Sequence, residues 1–263
     1  AAEALAAILS GVTALPEETV ALPAAHHRVL ARDLAARRTQ PPEDMSAMDG
    51  YAVRAADVAT IPARLTVVGE AAAGRPWDQT LQAGQAVRIF TGGVIPTGAD
   101  AVVIQENTAR DGDIVIVNEA SKVGRNIRFA GSDFREGDVL LPAGRRLSDR
   151  NLSLAASMNY PEIPVRRRPR VAVLATGDEL VPPGSTPGPG QIILSNGFAL
   201  RALAENEGAE TIDLGIAADT IESTTAAIRA ARDSAADILI STGGASVGDH
   251  DLMNVALTAE GVE

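Results

Sequence analysis

The last third of the chain alternates short apolar runs with stretches whose apolar residues recur at helical spacing. Residues 171–175, 211–216 and 238–240 read as strands. Between them, one helix runs from Ser195 or Asn196 as N-cap through Leu200, Leu203 and Ala204 to Gly208, and a second spans 220–232. A further helical pattern covers 252–257. Strands alternating with helices at this spacing predict a parallel sheet covered on both faces, a three-layer α/β domain. Ligands of such sheets sit outside the carboxyl ends of the strands. That rule collects Asp178, Glu179, Asp219, Asp249 and Asp251 on one edge.

Residues 38–136 follow another rhythm. Short β-rich runs at 65–68, 86–90, 101–105 and 114–117 are separated by Gly and Pro turns, with no long helical period. Helical segments at 1–10 and 149–159 flank this region, the second capped by Ser148 or Asp149. The expected organisation is multidomain α/β. Residues 1–37 with 137–168 form a small, discontinuous helical linker domain, 38–136 are a β-rich domain inserted into it, and 169–263 are the α/β domain.

Composition narrows the function classes. The 263 residues are 46% hydrophobic and only 3% aromatic, so the cores are aliphatic. No cysteine is present, which excludes disulfides and thiolate metal sites and fits a cytoplasmic protein. No apolar run reaches the roughly 18 residues of a membrane span. The net charge of −11 falls in the last third, where residues 171–263 hold three arginines against 14 acids. Such a surface repels nucleic acid. The basic run Arg166-Arg167-Arg168-Pro169-Arg170 reads as a solvated domain junction. The chain opens in what reads as mid-helix and stops at Gly261-Val262-Glu263, so a fragment is expected.

The stretch 237–251 carries the densest chemistry. Its loop holds Gly243, Gly244 and Gly248 with the hydroxyls of Ser241, Thr242 and Ser246, before Asp249 and Asp251. Glycines let backbone N–H groups approach an anion, and a helix N-terminus adds partial positive charge. Two carboxylates beside an anion site call for a divalent cation; acidic N-caps on an ordinary turn are the plain alternative. Carboxylates gathered on one edge are costly, since two charges about 4 Å apart repel by roughly 4 kcal/mol at an effective dielectric of 20. Arg201, Arg229 and Arg232 fall within helices, so Mg2+ or a partner's basic groups would neutralise the edge, unless the acids splay into water as caps.

Three further stretches stand out. Ser46-Ala47-Met48-Asp49-Gly50-Tyr51 suggests a tight turn in which Asp49 is either functional or an Asx-turn former. Thr91-Gly92-Gly93 offers a hydroxyl and N–H groups to an oxyanion, or makes a plain β-turn. Arg125 and Arg128 offer guanidinium groups to a phosphate, or are solvated. There is no P-loop, no G-x-G-x-x-G and no G-x-S-x-G, and His26, His27 and His250 lack metal-ligand spacing.

Taken in order, the motifs at 46–53, 91–98, 126–133, 137–147, 176–180, 214–220 and 241–251 resemble those of the molybdopterin molybdotransferases. These are the molybdenum-insertion enzymes of molybdenum cofactor synthesis, related to the E domain of gephyrin. Met48-Asp49-Gly50-Tyr51 and the β insert are the specific part, because segments like 241–251 also occur in pterin adenylyltransferases and competence-damage-type proteins. The resemblance implies Mg2+-dependent insertion of molybdate into adenylylated molybdopterin (molybdopterin-AMP) with release of AMP. It implies catalytic roles for Asp49, Thr91, Glu179, Asp219 and Asp251, and metal ligation by Glu179, Asp249 and Asp251. It places Thr176, Gly177, Asp178, Ser241, Gly243, Gly244, Ser246, Gly248, Arg128 and Asp133 at the pterin nucleotide.

The same resemblance implies a homodimer held through the linker domain, with the site shared between the β domain of one subunit and the α/β domain of the other. Molybdopterin adenylyltransferase and molybdoenzyme delivery proteins are the partners it suggests. Two departures stand against it. Ser132 replaces the Glu of an Asn-Ile-Arg-x-x-Gly-Glu-Asp loop, with Phe129 and Ala130 where arginines can occur. The family also continues past Gly261 into a Lys-Pro-x-x-Lys-Pro-like loop and a C-terminal β domain, whereas the one lysine here is Lys122. The α/β domain is therefore expected to be incomplete and the chain inactive as it stands. A gephyrin-like scaffold or cofactor carrier, and a pterin-nucleotide adenylyltransferase lacking the β insert, are the competing readings.

Overall fold

A computed structural model describes residues 2–243 and 252–261, and the chain divides into two units, 33–143 with 149–161 and 1–32 with 144–148 and 162–263. The first unit is built on a six-stranded sheet. Its order is Ala101–Ile104, Gly50–Val53, Gln85–Ile89, Ala63–Ala71, Ile114–Val117, Thr108–Asp111. All neighbours are antiparallel except Ala63–Ala71 with Gln85–Ile89. Core side chains pack on both faces. Tyr51, Val53, Leu65, Val103 and Val115 cluster on one, and Ala52, Val87, Ile89 and Val102 on the other. Gly50–Val53 is buried throughout, so it shows none of the in–out alternation that marks a half-exposed strand.

Gly50 sits between Ile89 and Ile104 in the register. A Cβ there would lie 1.9 Å from the carbonyl oxygen of Val103, so only glycine fits. The helix Asp149–Ser157 and the pairing of Leu34–Ala35 with Val139–Leu141 complete this unit.

The second unit contains a three-stranded parallel sheet in the order Glu210–Ala217, Arg170–Thr176, Ile238–Thr242. Its central strand alternates between two layers. Leu174 packs with Ile228, Met253 and Ala256 of the helices Ile221–Asp233 and Leu252–Ala259. Val171 and Val173 pack with Leu200 and Ala204 of the helix Asn196–Asn206. This is the three-layer α/β arrangement that strand–helix alternation predicts. Thr220 caps Ile221–Asp233 by accepting from the Ser223 N–H, and Gly208, at φ +93°, turns the chain after Asn196–Asn206.

A strand pair, Glu17–Ala21 with Glu162–Arg166, also belongs to this unit. The basic run is not the solvated junction that its charge suggests. Arg167 pairs with Asp237 at 2.7 Å, Arg166 donates to the Leu15 carbonyl, and Arg168 donates to that of Gly208. Half-burial of their stems makes these arginines packing residues. Among the described residues no helix is long and apolar enough to cross a membrane.

Candidate functional site

In the β-rich unit, strand register brings Asp49 to Thr91. Gly50 pairs with Ile89, so the residue before the first strand and the residue two beyond the second lie at one end of the sheet. Asp49 Oδ1 accepts both the Thr91 N–H and the Thr91 hydroxyl, each at 2.8 Å. The Thr91 hydroxyl and N–H, which the sequence offers either to an oxyanion or to a plain turn, are therefore engaged by Asp49. The backbone bond, the hydroxyl bond and the nearby Arg88 charge hold the Asp49 carboxyl below its ordinary value of 3.8.

The neighbouring stretches join the same end. Ser46 N–H donates to the Gly93 carbonyl at 2.8 Å, Gly92 N–H to that of Ser46 at 2.9 Å, and Ala47 N–H to that of Asn126 at 2.9 Å. Ile127–Arg128 pairs with Met45–Ser46. Arg128 is not a free guanidinium, because its Nη2 donates to both carboxylate oxygens of Asp133, at 2.9 and 2.8 Å. Arg88, absent from every sequence motif, donates to the Gly50 carbonyl at 2.9 Å. An arginine within a strand reads as a solvent-facing residue, which is why pattern alone passes over it.

A depressed carboxylate has a definite linkage sign. Its stabilising contribution is present above the unfolded value and is lost as pH falls through the lowered folded value. Carboxyl-carbon NMR is expected to show Asp49 titrating below ordinary aspartate, and Thr91→Val to move it upward. An unchanged midpoint in Thr91→Val would refute the hydroxyl's share and leave the backbone N–H as the bond that lowers it.

The α/β unit presents a second group at the carboxyl ends of its strands. Thr176-Gly177-Asp178-Glu179 leaves the central strand, Asp219 follows Glu210–Ala217, and Gly243 follows Ile238–Thr242. Asp178 Oδ1 accepts the Asp219 N–H at 3.1 Å, so Asp178 acts as a turn former here. Gly177 (φ +147°) leaves room for Glu179, whose Oε2 would be 2.4 Å from any Cβ there. Gly243 (φ +94°) packs against the Thr176 carbonyl, 2.4 Å from where a Cβ would stand. Ser241 is exposed in the edge strand and pairs with Leu174. Gly244, Ser246, Gly248, Asp249 and Asp251 lie outside the described residues.

Among the described residues, charge at this edge is uncompensated. Arg201 pairs with Asp213, while Arg229 and Arg232 both pair with Glu260. No arginine or lysine among the described residues pairs with Asp178, Glu179 or Asp219, all of which are exposed. Nor do three His, Asp or Glu side chains among the described residues approach closely enough to hold a metal.

Comparison with known proteins covers both units. Residues 1–159 match the family model described as MoeA N-terminal region (domain I and II), and residues 172–263 match that described as a probable molybdopterin binding domain. A molybdopterin molybdenumtransferase of Nostoc sp. is 43% identical over 250 residues, covering 94% of this chain and 57% of the relative. One from Haemophilus influenzae is 39% identical over 245 residues, covering 93% and 60%. The crystal structure of a molybdopterin biosynthesis MoeA protein from Pyrococcus horikoshii superposes with a TM-score of 0.84 at 33% identity, over 98% of this chain and 66% of that one. The chain thus spans under two thirds of the length of these relatives.

Proposed function

The chain belongs to the MoeA family, and from that membership we propose that it acts in molybdenum cofactor synthesis, binding molybdopterin-AMP and taking part in the exchange of adenylate for molybdenum from molybdate. The supporting observation is the carboxyl edge of the parallel sheet, where Asp178, Glu179 and Asp219 lack basic partners among the described residues. Ligands of such sheets bind at that edge. A nucleotide phosphate there would not be tolerated beside bare carboxylates, and a hard cation with oxygen ligands removes the conflict. Exposed carboxylate oxygens are the donor type Mg2+ takes, and Glu179 and Asp219 are the described residues that would hold it, directly or through water. When bound, Mg2+ supplies charge neutralisation at the phosphate and the leaving AMP.

The chain's own residues have separable tasks. Gly177 makes room for the Glu179 side chain and Gly243 for the close approach of the Thr176 carbonyl, and the Thr176 hydroxyl donates to the Thr242 carbonyl at 3.4 Å, tying two strand ends together. Asp49, kept ionised by Thr91, presents a fixed carboxylate in the β-rich unit. Assembly as a homodimer belongs to the same proposal. The match of residues 1–159 to the MoeA N-terminal region favours this reading over an adenylyltransferase.

The test uses the longest chain the gene encodes. Molybdopterin-AMP is expected to be retained on gel filtration, and AMP to appear only when molybdate and Mg2+ are both supplied. A protein that neither retains nor consumes the adenylylated pterin would refute the proposal.

A further inference from the structure

Asp49 lies where three strands end, and one side chain outside its motif holds the backbone around it. Arg88 faces Tyr51 across the pairing of Gln85–Ile89 with Gly50–Val53. Its Nη1 donates to the Gly50 carbonyl at 2.9 Å, and its Nη2 to Gln105 Oε1 at 2.7 Å. Gln105 in turn donates its backbone N–H to the Asp49 carbonyl at 3.0 Å. The guanidinium carbon lies 5.3 Å from the centre of the Tyr51 ring and 4.7 Å from that of Phe90, within cation–π range. The carbonyls of Asp49 and Gly50 are therefore held by Gln105 and Arg88, while Thr91 holds the carboxylate.

Resting on the reading of Asp49 as part of the reaction site, we propose that Arg88 is a positioning residue. Through Gly50 and Gln105 it fixes the backbone that aims the Asp49 carboxylate. The task calls for arginine. Two acceptors on different segments, Gly50 in a strand and Gln105 in the turn after Ala101–Ile104, with ring faces nearby, suit a planar fork of several donors, whereas a lysine ammonium is a hydrated point charge. The backbone it grips is already wedged, since Gly50 packs against the Val103 carbonyl with no room for a Cβ. Arg88 therefore acts on a segment with one available position and holds its Asp49 end there. Displacing a reacting group by about 1 Å costs on the order of a hundredfold in rate, so a clamp of this kind is felt in turnover.

A purely structural arginine makes a different forecast, and kinetics with melting curves separate the two. Arg88→Met, Arg88→Lys and Gln105→Ala are compared in the longest chain the gene encodes. Asp49→Ala and Arg64→Met serve as references; Arg64, on the strand Ala63–Ala71, pairs with Asp111 of the edge strand Thr108–Asp111 in the same sheet. Arg88→Met is expected to lower kcat about tenfold to a hundredfold while KM for molybdopterin-AMP stays within about twofold. Arg88→Lys is expected to recover only part of the loss, Gln105→Ala to lower kcat several-fold, and Arg64→Met to change neither constant. If Arg88→Met does not fold, Arg88→Lys and Gln105→Ala carry the comparison. Wild-type kcat in the folded Arg88 and Gln105 variants, with Asp49→Ala inactive, overturns the positioning role and leaves the site reading intact. Full turnover in Asp49→Ala overturns both.

Discussion

Replacing Gly50 by alanine is expected to unfold the β-rich unit at temperatures where the parent is native. The added methyl would stand 1.9 Å from the Val103 carbonyl oxygen and 2.8 Å from its carbon, both backbone atoms. No rotamer change relieves such a contact, so Gly50–Val53 and Ala101–Ile104 must separate. Overpacking costs typically about 1–3 kcal/mol. Here the separation also strains the ladder that joins four residue pairs of these strands. Lost ladder bonds at about 1 kcal/mol each bring the total to roughly 3–5 kcal/mol. A loss of that size lowers Tm by more than about 10 °C for a unit of this size. Gly112→Ala is the informative comparison, because its φ of +59° is strained for alanine but nothing lies within 4 Å of the added carbon. Its cost is about 1–2 kcal/mol. Melting curves of the two variants decide the matter, and equal shifts would show that the close approach at Gly50 is not what requires glycine.

That close approach explains why the fold was legible only in part. The helix Ile221–Asp233 announces itself because Thr224, Ile228 and Ala231 are buried at helical spacing while their neighbours face water. The parallel strand Arg170–Thr176 is legible as a short apolar run. Gly50–Val53 reads instead as part of a turn, because a strand buried on both faces has no alternation and its glycine is there for a neighbour's backbone. Glu17–Ala21 is nearly all exposed, so no periodicity marks it, and its partner Glu162–Arg166 is remote in sequence.

The site divides in the same way. Asp49 and Thr91 are each visible in their motifs, but the bond between them spans 42 residues and is set by register. Strand–helix alternation alone places Asp178, Glu179, Asp219, Asp249 and Asp251 on one edge; the bond from Asp219 N–H joins it to Asp178, while Asp249 and Asp251 lie outside the described residues. Arg128 and Asp133 are each visible as candidates for the pterin nucleotide, yet they are paired with each other. A pattern of residue types does not reveal which charges have already found partners.

Neutralising Glu179 or Asp219 on the carboxyl edge is expected to abolish turnover without destabilising the chain. Asp178, Glu179 and Asp219 are exposed, and the three arginines of the region are committed to Asp213 and Glu260. Carboxylates that close a stability network lose energy when neutralised, whereas carboxylates that merely repel one another do not. Glu179→Gln and Asp219→Asn are therefore expected to keep stability within about 1 kcal/mol of the parent. Asp178→Asn separates shape from charge at the same place, since an amide oxygen still accepts the Asp219 N–H. Mg2+ provides a readout independent of catalysis. If it binds the native edge, a concentration ten times Kd stabilises the protein by about 1.4 kcal/mol, seen as a rise in Tm. In Glu179→Gln and Asp219→Asn that rise is expected to vanish, together with Mg2+-dependent AMP release from molybdopterin-AMP in the longest chain the gene encodes. Asp178→Asn, whose oxygen remains tied to a backbone N–H, is expected to keep part of both. Three variants that respond to Mg2+ as the parent does would place the cation elsewhere. Variants that unfold would instead make these carboxylates structural, because an acid that only awaits a ligand contributes nothing to the fold when the ligand is absent.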